Sequence, residues 1–173
     1  MTITVRPETP ADHDAVRGVN EAAFDRPAEA RLVDALRARA ARPIVSLVAT
    51  DERGQVVGHI LFTPVTVTSD ASTWSALGLA PMAVAPAAQR AGVGSALVRA
   101  GLDACRAAGH DVVVVLGHPE YYPRFGFVPA PPLGITCKWP VPDDVFMVAE
   151  LRPGALGGRR GRVAYDAAFD DVG

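Results

Sequence analysis

One segment constrains this chain more than any other. Leu79-Ala80-Pro81-Met82-Ala83-Val84-Ala85 is an apolar run of strand type. It passes through Pro86-Ala87-Ala88-Gln89-Arg90-Ala91 into Gly92-Val93-Gly94-Ser95-Ala96-Leu97, where a helical pattern begins. The first N–H groups of a helix have no internal partner, and the helix dipole adds partial positive charge there. A strand that feeds a helix through a glycine-bearing turn is therefore an anion-binding geometry. Gly92 and Gly94 carry no side chain to hold an anion away from the backbone. The same short pattern also fits a strand-to-helix turn with no ligand. Two better-known phosphate motifs do not fit. No Lys-Ser/Thr pair follows Gly94, and Leu97 stands where a dinucleotide fingerprint has its third glycine.

The patterns on either side predict the frame that holds this turn. Ile3 to Arg6 alternates apolar and polar residues and predicts a short strand. Thr9, Pro10 and Asp12 form a helix start, with a cap, a first-turn proline and an acid at the positive end. That helix is predicted to reach about Phe24. A second is predicted over Ala28 to Ala41, with Leu32, Val33 and Leu36 inward. Ile44–Thr50, Gln55–Thr68 and Ser75–Ala85 predict an antiparallel meander. Its first turn is Asp51-Glu52-Arg53-Gly54, and Pro64 marks a bulge or bend.

Ser95, Arg99, Asp103 and Arg106 make one solvent stripe on a helix over Gly92 to Ala108, which Gly109 ends. Val112 to Leu116 is continuously apolar, as a strand covered on both faces should be. Strand, helix and strand in that order imply a crossover unit. Pro119–Arg124 reads as a short helix or turn and Phe125–Val128 as a short strand. The five prolines between Pro129 and Asp144 predict a long irregular loop, and Val145–Leu151 predicts a strong final strand. The tail Arg152–Gly173 is expected to add one more edge strand.

At 173 residues the expectation is one domain over 1–151, with 152–173 as an extension packed on it. The 17 basic and 19 acidic residues leave a net charge of -2, so no global field selects nucleic acid or an anionic membrane. The run Gly157-Gly158-Arg159-Arg160-Gly161-Arg162 is locally basic, but it has no interleaved aromatics and reads as a solvated loop. Nucleic acid is not expected as a partner. Cys105 and Cys137 have neither metal-ligand nor disulfide-framework spacing, and no metal is expected at His13, His59 or His110. Neither a signal-peptide layout nor a run near the ~20 apolar residues of a membrane span occurs, so the expected setting is cytoplasmic.

Gln89-Arg90-Ala91-Gly92-Val93-Gly94 resembles the Q/R-x-x-G-x-G/A signature of the GNAT N-acetyltransferase superfamily. A second stretch, Leu116-Gly117-His118-Pro119-Glu120-Tyr121-Tyr122-Pro123-Arg124-Phe125-Gly126-Phe127, resembles that family's "tyrosine, three residues, glycine-phenylalanine" ending. It is similar in particular to a bacterial branch called YhbS-like. The element order agrees over roughly Ile3 to Leu151.

The resemblance implies an α/β (α+β) GNAT fold. Its mixed sheet would have about 6–7 strands, a splay between strands 4 and 5, and helices on both faces. Acetyl-coenzyme A is the implied cosubstrate. Backbone groups of Met82, Ala83 and Val84 would bond the pantetheine arm. Gln89, Arg90, Ala91, Gly92, Val93, Gly94 and Ser95 would hold the pyrophosphate. The implied reaction is acetyl transfer to a primary amine of a small molecule or a protein. A homodimer is left open.

Tyr122 stands where the family often has a tyrosine near the thioester sulfur. A phenol is protonated at neutral pH and can assist a departing thiolate; the alternative is that Tyr122 only packs. Tyr121 reads as a packing residue. Phe125 and Phe127 read as core, with Gly126 relieving crowding between them. His118, just past an apolar strand, would face the acceptor. Imidazole's ordinary pKa of about 6.5 suits a base, although a histidine there also fits a plain surface contact. The family sometimes places a glutamate on the strand before the phosphate loop, and Leu77 to Ala85 contains none. Glu21, Glu29 and Glu120 are the available substitutes, acting through water. That missing acid keeps a rival in play, a catalytically silent acyl-coenzyme A sensor built on the same pocket.

Overall fold

The computed structural model of the chain describes residues 1–39 and 45–172. The predicted end of the second helix at Ala41 and the predicted strand start at Ile44 lie outside the described residues. In chain order the elements are β1 (Thr4–Pro7), α1 (His13–Phe24), α2 (Ala28–Arg37), β2 (Val45–Thr50), β3 (Val56–Thr68) and β4 (Thr73–Val84). Then come α3 (Val93–Ala107), β5 (Val112–Leu116), β6 (Val128–Pro129), β7 (Ile135–Thr136), β8 (Phe146–Glu150) and β9 (Gly161–Ala164).

All nine strands join one mixed sheet. Its main path runs β1-β2-β3-β4-β5-β8-β6, and β9 bonds both β3 and β7. The strand count exceeds the expected 6–7 because β6 and β7 have two residues each. The meander forms as its turn chemistry predicts. Asp51 Oδ1 accepts the N–H of Arg53 at 2.9 Å and of Gln55 at 3.0 Å, which closes the first hairpin.

Helices cover both faces. On one face α3 buries Val93, Leu97, Val98, Leu102 and Cys105 against Ile60, Phe62, Leu79, Val113 and Val115. Apart from the adjacent pair Leu97 and Val98, the α3 positions lie three or four apart, so they make one stripe. On the other face α1 and α2 set Val16, Leu32, Val33 and Leu36 on Val48 and Leu61. The rest of that face is covered by the chain after β5. Ala130, Ile135, Ala155 and Val163 lie on Val65, Val67, Val112 and Val114.

The feature that positions a site is the junction of β4 and β5. They run parallel and pair only at Leu77–Val113 and Gly78–Val114. Past Gly78, β4 continues for six more residues with no bond to β5. The β3–β4 register shifts there, from Phe62 opposite Leu79 to Ile60 opposite Met82. Ala80 and Pro81 therefore share one place opposite Leu61, a bulge that bends the strand.

Four expectations change. The tail strand β9 is not an edge, because β3 outruns β2 and its free end takes β9 at Thr66–Thr68. The proline-rich loop contains β7, which pairs with β9. Gly126 does not relieve crowding. An added Cβ would meet nothing within 4 Å, and the residue is needed for its φ of +95° at the end of the Tyr122–Phe125 turn. The basic run is also not a free loop. The Arg159 guanidinium lies 4.5 Å from the Trp74 ring centre and bonds Asp111 at 3.3 Å, while the Arg160 carbonyl accepts the Trp74 indole N–H at 3.1 Å.

Gly101 tests the packing of α3. A Cβ there would lie 2.4 Å from Cε1 of Phe62, whose ring is fully buried. Alanine is the better helix former by ~1 kcal/mol, yet overpacking costs ~1–3 kcal/mol. Gly101→Ala is expected to destabilise the protein by about 1–2 kcal/mol in urea unfolding, and Phe62→Leu to recover part of that. Unchanged or increased stability would show that the ring yields freely.

Candidate active site

The end of β4, the turn after it and the start of α3 enclose a groove of about 520 Å³. Nine of the ten sequence-predicted cofactor residues line it: Met82, Ala83, Val84, Gln89, Arg90, Gly92, Val93, Gly94 and Ser95. Ala91 does not and is exposed. The turn reverses on two left-handed residues, Arg90 at φ +63° and Gly92 at φ +82°. Gln89 Nε2 donates to the Val84 carbonyl at 3.1 Å and ties the turn to the strand. The Ala96 N–H bonds the Gly92 carbonyl at 3.0 Å. The N–H groups of Val93, Gly94 and Ser95 are thus the open donors of the helix start.

The wall opposite was not foreseen. Tyr121, read from the sequence as packing, lines the groove, with its hydroxyl 3.4 Å from Ser95 Oγ. A Cβ at Gly94 would lie 2.9 Å from that hydroxyl, so the second glycine keeps helix and tyrosine close. Arg124 also lines the groove, its guanidinium 4.8 Å from the Tyr121 ring centre. Its place next to the tyrosine pair, in a stretch already singled out, was the signal available for it.

A second cavity of about 460 Å³ lies in the gap between the parted strands and shares Phe24 and Met82 with the groove. Leu79 to Met82 form one side and Val115 to His118 the other. Tyr122 lines it and is itself buried. Its ring lies against Gly117, where a Cβ would be 2.4 Å from Cε2, and edge-on to Tyr121 and Phe127 at 5.1 and 5.7 Å. Burial, with the neighbouring Tyr121 adding to it, pushes the Tyr122 phenol up to about 12.

His118 lines the same cavity but is exposed, at its rim. The structure thus brings both sequence-predicted catalytic residues to one space. Of the three substitute carboxylates, Glu29 lines the cavity and is buried, whereas Glu21 and Glu120 are exposed. Arg26 Nε bonds Glu29 Oε1 at 2.9 Å and keeps its charge paired. Among the described residues no group of three His, Cys, Asp or Glu side chains could hold a metal ion, and no helix is long and apolar enough to cross a membrane.

A mixed sheet that parts after one short parallel contact, with a glycine turn and helix start at the open end, defines an acyltransferase fold. The chain belongs to the GNAT acetyltransferase family, whose Acetyltransferase (GNAT) domain model matches residues 4–130. It is 37% identical over 166 residues to YhbS of Escherichia coli K12, described as an uncharacterized N-acetyltransferase, covering 96% of this chain and 98% of that protein. The crystal structure of E. coli YhbS in complex with CoA matches with a TM-score of 0.91 at 36% identity, covering 99% of this chain and 93% of that one. A GNAT family acetyltransferase from Brucella melitensis in complex with acetyl-CoA matches with a TM-score of 0.77 at 38% identity, covering 98% and 99%.

The Tyr122 environment has a measurable sign. Its phenol sits at about 12 in the folded state against an ordinary 10.0. The folded protein therefore holds this proton more tightly than the unfolded chain. The associated stability is full below the ordinary value and is lost as pH rises toward the folded one. The phenolate absorbance of the parent minus that of Tyr122→Phe is expected to stay flat through pH 10 and to rise only toward about 12. A step below pH 10 would mean that the hydroxyl is solvated.

Proposed function

We propose that this protein transfers an acetyl group from acetyl-coenzyme A to a primary amine by direct attack on the thioester. The observation that carries the reading is the parting of β4 from β5 beyond Gly78 and Val114, which joins the Gln89–Ser95 groove to the Tyr122 cavity. The presence of CoA and acetyl-CoA in complexes of the two similar proteins supports the choice of cosubstrate.

In this reading the backbone of Met82, Ala83 and Val84 bonds the amide-rich pantetheine arm. The turn Gln89–Gly94, with Ser95, takes the pyrophosphate on open helix N–H groups. Arg124 adds a cation beside it. The acetyl carbonyl then lies in the gap, between the phosphate turn and the acceptor.

The chemistry requires a neutral amine, a new C–N bond, a broken C–S bond and a protonated thiol. His118, at the rim, takes the proton that the amine gives up. Tyr122 donates a hydrogen bond to the departing sulfur. A thiol ionises at about 8.5, well below this phenol, so full proton transfer from Tyr122 is uphill. Its help is therefore a hydrogen bond to developing charge, with the proton arriving finally from solvent. A phenol held protonated at every working pH suits that role, because its donor is always present.

Release of free thiol from acetyl-coenzyme A, scored across an amine panel, tests the activity and separates it from a silent sensor. A sensor binds the cosubstrate and releases none. Tyr122→Phe is expected to lower kcat by ~10²–10⁴-fold while leaving acetyl-coenzyme A affinity unchanged. His118→Ala is expected to remove the acidic limb of the pH–rate profile. Full turnover in the first variant, or an unaltered profile in the second, removes that residue from the mechanism.

Binding is tested separately. Gly94→Val places a side chain against the Tyr121 hydroxyl and over the open N–H groups. It is expected to raise the acetyl-coenzyme A Kd by about tenfold or more, read by calorimetry. Parent-like affinity would move the phosphate away from this turn.

A further inference from the structure

The family match ends at residue 130, yet the gap between β4 and β5 continues into a pocket built largely after that point. This pocket, of about 380 Å³, shares Leu79, Ala80 and Leu116 with the Tyr122 cavity. Its walls are Trp139, Tyr165 and Phe169. The Tyr165 ring centre lies 5.0 Å from that of Trp139 and 5.1 Å from that of Phe169. The three rings form one connected surface. Tyr165 is also fixed at the splay itself. A Cβ on Gly78, the last β4 residue paired with β5, would lie 2.9 Å from Tyr165 Cε1. The aromatic surface thus begins where the two strands part.

Charge is scarce and balanced there. Arg26 is the charged residue lining the pocket, and it grips Glu29 through Nε at 2.9 and 3.2 Å. Both carboxylate oxygens retain accepting capacity beyond those bonds. The mouth is apolar as well. Phe24 and Leu116, two of the exposed large hydrophobic residues, line the adjoining cavity. Such a space favours a flat apolar body carrying one amine. A second cation on the same molecule would lose its hydration and meet no further acid among the described residues that line the pocket.

Resting on the acetyltransferase reading above, we infer that the acceptor is a primary arylalkylamine. Its ring seats against Trp139, Tyr165 and Phe169, and its amino group points toward Glu29 and the thioester. The segment after residue 130 selects the acceptor, and the family-matched segment holds the cosubstrate. Trp139 is a specificity residue in this account and takes no part in the chemistry.

The experiment compares 2-phenylethylamine, butylamine and spermidine as acceptors for acetyl-coenzyme A, in the parent and in Trp139→Ala. The expected result is a kcat/KM for 2-phenylethylamine at least about tenfold above that for either other amine. In Trp139→Ala the KM for 2-phenylethylamine is expected to rise about tenfold or more, with acetyl-coenzyme A affinity and the butylamine rate nearly unchanged. Trp139→Phe is expected to retain most of the parent's activity on 2-phenylethylamine. Spermidine used as well as or better than the aryl amine overturns the inference and leaves the acetyltransferase reading standing. So does a Trp139→Ala variant that slows all three amines equally.

Octanoyl-coenzyme A is the control for the other occupant. If it outperforms acetyl-coenzyme A and loses that advantage in Trp139→Ala, the pocket holds an acyl chain and the inference fails. Tight acetyl-coenzyme A binding with no thiol released by any amine removes the transferase reading and this inference with it.

Discussion

Everything at this site follows from two strands that stop bonding each other. β4 and β5 share only Leu77–Val113 and Gly78–Val114 before they diverge. Backbone N–H and C=O groups inside a protein must find partners, and a sheet normally supplies them. Here β4 keeps its bonds to β3 on one edge and loses a neighbour on the other. The unpaired edge is a row of donors and acceptors with a fixed spacing. β5 remains anchored because it pairs with β8 along its whole length. The gap thus lies between two strands that are each paired on their other edge.

In the proposed reading, two kinds of surface meet in that gap. The cosubstrate side is built mainly of backbone, from the strand end and the helix start. Its side chains matter chiefly by being small, as at Gly94 under the Tyr121 hydroxyl. The acceptor side is built of large side chains from distant parts of the chain, with Phe24 and Glu29 contributed near one end and Tyr165 and Phe169 near the other. Backbone recognition tolerates sequence change, so it suits a common cosubstrate. Side-chain recognition changes with each substitution, so it suits a selective acceptor site.

The chain shows which inferences a sequence carries well. Elements with a strong period were legible: the stripe of α3, the apolar run of β5 and the meander of β2, β3 and β4. Local turn chemistry was legible too, because Asp51 and Gly54 act on neighbours within a few residues. Nine of the ten residues expected to hold the cofactor line one groove, and they come from two short runs of a single segment, 82–84 and 89–95. Tyr121 packs on the core as expected, but its second place in the groove wall was not legible, because adjacent tyrosines look alike in sequence. Their difference is that one ring lies on Gly117 and the other's hydroxyl reaches Ser95. The basic run was misread for a related reason. Trp74, the aromatic partner of Arg159, lies 85 residues away along the chain and 4.5 Å away in space.

The sequence by itself determined the alternation of strands and helices, the glycine turn ahead of α3, and a tyrosine and a histidine just beyond β5. Those features depend on local propensity and on periods of two and 3.6 residues, which the chain carries wherever it lies. Tertiary structure alone decided that β9 joins β3 and that Trp139 and Tyr165 meet beside Gly78. Each of those contacts joins segments with no common period. They form because apolar sheet surface is left after α1, α2 and α3 have packed, and segments after β5 cover it.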